Sequence, residues 1–199
     1  MQKKILLTSF DTWLSEQKSN SADDLLIALA EKTDVDHDFT FLRRLPVEVN
    51  LASSLVIAKI NQLQPDYVIC CGMAASYENL SIEVIASNIY VNSTDMTWKN
   101  SLENSQQKTL QTIVNIEQLL VGTTAVDISY DCGKFVCEGL YYSVLEYLSQ
   151  SQLIIPCIFV HVPILHPGNL IGILTDFVVI INNYSKQLSR NREQGTGNS

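Results

Sequence analysis

The chain has 199 residues, 46% of them apolar, and a formal net charge of −8, which suits one domain with a full core and argues against nucleic acid as a partner, since there is no basic run to meet a phosphate backbone. The opening MQKKILLTSF is too short for a signal-peptide core, and the most apolar stretches, 153–165 and 170–181, are broken by Pro156, His161 and Asp176 short of a membrane span. A soluble cytoplasmic protein without nucleic-acid or membrane partners is the expectation.

Residues 4–10 read as a buried strand, and Ser21 ahead of Asp24 and an apolar run marks a helix start, with the helix reaching about 31. Residues 39–45 are strand-like and stop at Pro46. Asn50 is placed to cap a helix over 52–63, and Pro65-Asp66 turns the chain into a strand at 67–71 that Gly72 closes. Residues 80–86 read as another strand. The stretch 88–111 is rich in Asn, Ser, Thr and Gln without a period and reads as a long loop. Thr112 is placed to cap a short helix over 113–120, 126–129 suits a strand, 135–148 a helix, and 154–161 a strand ended by Pro163. Residues 170–188 read as a C-terminal helix, although 177–181 would also suit a strand, and the polar 190–199 as a disordered tail. Strands alternating with helices imply one domain over 1–189. Its expected fold is a three-layer α/β/α sandwich with a mostly parallel twisted sheet and a site at the carboxyl ends of the strands.

There are five cysteines, an odd number with no CxxC pair. That pattern argues against a disulfide framework and a structural zinc site, and implies no metal or cofactor. Cys70, Cys71 and Cys157 sit within strands and read as small core residues. Cys137 follows Gly133 at the start of a helix, where backbone N–H groups favour a thiolate. Cys132, on the approach loop, is the alternative nucleophile. Glu83 stands in the apolar segment LSIEVIA, either facing water at a strand edge or partnered in a site. His161, in IFVHVP, is either a hydrogen-bonded core histidine or a catalytic one. Together Cys137, His161 and Glu83 supply the nucleophile, base and orienting acid that a cysteine hydrolase needs.

These segments resemble, in order, the pyroglutamyl peptidase I family over roughly residues 4–165. LSIEVIASN at 80–88 is similar to the family pattern I-x-x-E-R-x-A-x-N, CGKFVCE at 132–138 to A-G-x-Y-x-C-N, and FVHVP at 159–163 to F-I-H-V-P. LPV at 45–47 and the Pro65-Asp66 to Gly72-Met73-Ala74 stretch match as well. The resemblance implies a phosphorylase/hydrolase-like sandwich and a cytosolic cysteine peptidase that removes N-terminal pyroglutamate from peptides. Cys137 would be its nucleophile, with His161 activating the thiol and Glu83 orienting the imidazole. Phe10 and Trp13 would hold the lactam ring, with Met73 nearby. It also implies assembly into dimers or tetramers, for which the apolar C-terminal helix is available, unless that helix completes the chain's own core.

The departures are specific. The first family loop, G-F-x-P-F-G-G, is rewritten as SFDTWLS at 9–15, and family arginines are replaced by Tyr77, Val84 and Ser93. Glu138 stands where the family has Asn after the nucleophile, and negative charge there opposes a thiolate. Two alternatives follow: a catalytically inactive binding or regulatory module on a peptidase fold, or a hydrolase of a different lactam or cyclic amide.

Overall fold

The computed structural model describes residues 2–32, 35–91, 98–100 and 107–195. Its centre is a six-stranded sheet built from β1 (Lys4–Phe10), β2 (Asp38–Leu45), β3 (Tyr67–Met73), β4 (Leu80–Glu83), β9 (Val126–Ser129) and β10 (Cys157–Val162). The strand order is β2-β1-β3-β10-β4-β9. Every pairing is parallel except β10 with β4. The interior strands carry almost continuous apolar sequence because both faces are covered.

Strand alternation divides the core in two. Ile5, Leu7, Tyr67, Ile69, Ile158 and Val160 face one side. There they meet apolar residues of α1 (Ser21–Ala30), α3 (Ile116–Leu119) and α5 (Leu170–Gly195). Leu6, Val68, Cys70, Cys157 and Phe159 face the other side. There they meet α2 (Val49–Leu63) and α4 (Val136–Gln150). This is the expected α/β/α sandwich.

Several element boundaries differ from the sequence reading, for local reasons. Asn20, not Ser21, caps α1 by accepting from the Ala22 amide, while the Ser21 hydroxyl donates to the Val162 carbonyl. The Glu48 carboxylate caps α2 through the Asn50 and Leu51 amides, so Asn50 lies inside the helix. Asn115 caps α3. Thr112 instead donates to the Cys157 carbonyl. The stretch expected to be one strand over 80–86 breaks at Val84, whose amide donates to the Ser129 carbonyl and whose carbonyl accepts from Thr112.

The stretch 88–111 is not simply a loop. β5 (Ile85–Ser87) pairs antiparallel with β8 (Thr109–Gln111), and β6 (Ile89–Val91) with β7 (Trp98–Asn100). Three-residue strands are too short to leave a period in the sequence. Residues 92–97 and 101–106, Ser93 among them, lie outside the described residues.

At the other end α5 continues to Gly195, beyond the expected stop near 188 and into the segment read as disordered. Arg, Glu and Gln in 190–194 are good helix formers, so a polar sequence did not mean an absent helix. Residues 196–199 lie outside the described residues. Within α5, Ile173, Phe177, Ile180, Ile181 and Tyr184 are buried on the sheet, so this helix completes the chain's own core. Asp176, the charge that interrupts its apolar run, is buried and accepts from the Thr124 and Ala125 amides at 2.8 and 3.0 Å.

Candidate active site

The antiparallel pair β10–β4 sets the first half of the site. Phe159 stands opposite Glu83, and His161 opposite Ser81. Glu83 and His161 are therefore diagonal neighbours on one face of the sheet, the pair type whose side chains reach each other across strands. Their side chains meet with His161 Nδ1 2.7 Å from Glu83 Oε1. Glu83 is fully buried, which overturns the alternative of a carboxylate facing water at a strand edge. The Tyr141 hydroxyl donates to the Glu83 carbonyl and fixes the strand end from the helical layer.

The parallel pair β10–β3 sets the second half. His161 stands opposite Gly72. A Cβ at Gly72 would lie 2.7 Å from Cys137 Sγ and 2.9 Å from a ring carbon of Phe159. The glycine is thus required by close approach, and it lets the thiol settle on the sheet beside the imidazole. Cys137 is the second residue of α4, and its thiol hydrogen-bonds His161. Gly133, at φ +87°, turns the chain into that helix. The imidazole is packed between aromatic rings, with Phe159 at 4.9 Å and Tyr77 edge-on at 5.8 Å between centroids.

The electrostatics follow from this packing. Burial alone would lower the His161 pKa, but hydrogen bonds to Cys137 and Glu83, and their charges, outweigh it and push the value up to about 10. Burial pushes the Glu138 carboxyl up to about 7, with Asp131 and Glu83 adding to the effect, although the Ser87 amide donates to it. Glu138 is therefore not the fixed negative charge that its sequence position suggests.

Beside the triad opens a cavity of about 590 Å³, whose lining includes Phe10, Trp13, Met73, Phe135, Cys137 and His161. The three residues singled out for substrate contact thus share one cavity. Phe10 is buried, whereas Trp13 is half exposed and tilts against Phe135 at 5.9 Å. Gln17 braces this wall, accepting from the Trp13 amide and donating to Met73 Sδ.

Phe135 and Gln17 were not singled out in the sequence. Phe135 had a readable signal, being the residue that leads into α4 two places before Cys137. Gln17 had none. Cys132, the alternative nucleophile of the sequence, reaches the site as well. Its Sγ, a ring nitrogen of His161 and a carboxylate oxygen of Glu83 all lie within 4.8 Å of one another, a grouping able to hold a metal ion. Of the three positions with replaced arginines, Tyr77 packs on His161 and Val84 is buried.

Comparison with known proteins identifies the family. The family model for pyroglutamyl peptidase matches residues 3–174. A pyrrolidone-carboxylate peptidase of Bacillus cereus (strain 03BB102) is 26% identical over 172 residues, covering 82% of this chain and 79% of the relative. One from Thermoanaerobacter sp. (strain X514) is 26% identical over 178 residues, covering 81% and 83%. Among solved structures, pyroglutamyl peptidase I from Bacillus amyloliquefaciens superposes with a TM-score of 0.79 at 20% identity, covering 92% of this chain and 95% of that one. Pyrrolidone carboxyl peptidase from Thermococcus litoralis gives 0.79 at 18% identity, covering 96% of both. With a family match running from the first strand into the last helix, over the same sheet that assembles Cys137, His161 and Glu83, the chain belongs to the pyroglutamyl peptidase family.

Proposed function

We propose that this protein is a cysteine peptidase that removes N-terminal pyroglutamate from peptides. The observation that carries the proposal is His161, bonded to the buried Glu83 carboxylate on one side and to the Cys137 thiol on the other, beside an apolar cavity. In this mechanism the Cys137 sulfur attacks the acyl carbonyl that follows the lactam ring. His161 holds the proton that the thiol gives up and delivers it to the departing amine, and Glu83 orients the imidazole and stabilises its cationic form. Water, activated by the then neutral His161, releases the acyl group. The first amides of α4 have no partner within the helix, so the Cys137 N–H is available to the oxyanion. That supply of donors offers a substitute for the replaced arginines. Phe10, Trp13 and Met73 hold the lactam ring.

The test is release of a fluorogenic amine from a pyroglutamyl amide by the purified protein. Turnover that Cys137→Ala lowers by on the order of 10³-fold or more supports the reading; hydrolysis unchanged in that variant overturns it. The second reading, a non-catalytic module or a hydrolase of another cyclic amide, is favoured by Tyr77 and Val84 at two arginine positions. It predicts no turnover of this amide by a folded wild type, and a ligand in the cavity beside Trp13. The cytoplasm as compartment goes with the first reading and is supported by five unpaired cysteines. Assembly into a dimer or tetramer goes with it too, and light scattering measures it.

A further inference from the structure

Cys132 takes no part in the hydrolysis just described. It stands where the family pattern has alanine, yet it is buried beside the reacting groups. Its Sγ, a His161 nitrogen and a Glu83 carboxylate oxygen form a sulfur–nitrogen–oxygen set within 4.8 Å. A second, independent observation concerns the carboxylate. Glu83 Oε2 is buried and has no hydrogen-bond partner among the described residues. A buried lone pair of that kind is costly unless a donor or a cation fills the place. Glu83, Glu138 and Asp131 all act electrostatically on Cys132, so a cation is drawn to this point. Cys132 and His161 both belong to the cavity wall, which gives an ion a route in.

Mixed thiolate, imidazole and carboxylate donors suit zinc and not magnesium or calcium. Zinc bonds of about 2.0–2.3 Å in tetrahedral array place donors roughly 3.3–3.8 Å apart. The set reaches that spacing with side-chain movements of about 1 Å. We propose that Cys132, His161 and Glu83 form a zinc site within the active site, and that a bound ion withdraws His161 from Cys137 and reversibly stops turnover. Binding expels the Cys132 thiol proton to solvent. The inhibitory consequence rests on the hydrolase reading; the binding itself does not.

Cobalt(II), a spectroscopic substitute for zinc, separates the two. It is titrated into reduced Cys137→Ala protein, which retains all three proposed ligands and lacks the nucleophile. The expected result is a thiolate-to-cobalt charge-transfer band that saturates at one ion per chain and is displaced by zinc. Adding Cys132→Ala is expected to remove the band and weaken zinc binding at least tenfold. Cys132→Ser repeats the comparison in a side chain of closer size, should the alanine variant melt early. An unchanged band without Cys132, or no band with it, overturns the proposal. A cobalt band in Cys137→Ala, beside a folded wild type that does not turn over the pyroglutamyl amide, would keep the metal site and sink the hydrolase reading.

Discussion

At the scale of single residues, the protonation states of His161 and Glu138 decide the chemistry. His161 has a folded-state pKa of about 10, above its unfolded value of about 6.5. Its pairing therefore contributes stability that is fully present below about pH 6.5 and is lost as pH rises through about 10. Glu138 behaves in the opposite sense to a salt-bridged carboxylate. Its folded value of about 7 lies above the ordinary glutamate value of 4.5, so ionisation weakens the fold as pH rises through that window. Ionisation also puts a charge next to Cys137. The expected outcome is that kcat/KM for a pyroglutamyl amide falls several-fold as pH rises past about 7, and that Glu138→Gln lacks this decline and gains Tm above it. A pH–rate profile with thermal melts of both proteins checks this. Glu83→Gln keeps the shape at the buried position but removes the charge that supports the imidazolium. It is expected to lower kcat by on the order of 10²–10⁴-fold, read in the same assay at unchanged fold by circular dichroism.

At the scale of elements, the site depends on α4 meeting the strand ends at close range. Gly72 leaves the space that the Cys137 thiol fills. Gly72→Ala forces the α4 start or the Phe159 ring to move, and is expected to cost about 1–3 kcal/mol of stability. It should also reduce alkylation of Cys137 by iodoacetamide, because the thiol is pushed from His161. Urea unfolding and the alkylation rate measure the two effects separately. Asp176 does similar work on the opposite layer, tying α5 to the turn before β9 through two amides. Asp176→Ala leaves those amides without acceptors and is expected to cost about 2–3 kcal/mol, again by urea unfolding, with little change in KM because the cavity is on the other face. The helical reading of 135–148 rests on apolar residues at helical spacing and agrees with α4 to within a few residues, while that of 170–188 has the right start and stops short of Gly195. The caps did not follow as directly. Several residues suited to cap compete near each helix start, and which one bonds the free amides depends on the path of the incoming chain. At α2 the winner was a glutamate, Glu48.

At the scale of the whole molecule, the core is two apolar layers on one sheet, and α5 supplies a large part of one of them. Removing the chain beyond residue 165 would expose the surfaces now covered by Phe177, Ile180, Ile181 and Tyr184. Such a truncated protein is expected to lose cooperative unfolding and to aggregate, which thermal melting and light scattering would show; a sharp transition would argue that the first layer stands without this helix. The sequence by itself determined the alternation of strands and helices, the buried character of both sheet faces, and the three short segments around Glu83, Cys137 and His161. Those are local properties: periodicity, turn residues, and polar groups out of place in apolar runs. Only the tertiary structure decided that β4 runs antiparallel to β10, and so that Glu83 falls diagonally across from His161. It also decided that Glu138 is buried enough to lose its charge near neutral pH, and that Cys132 joins the same cluster. Each of these depends on distances between residues far apart in the chain. Desolvation and charge coupling are set by what surrounds a group in space, which no spacing along the sequence contains.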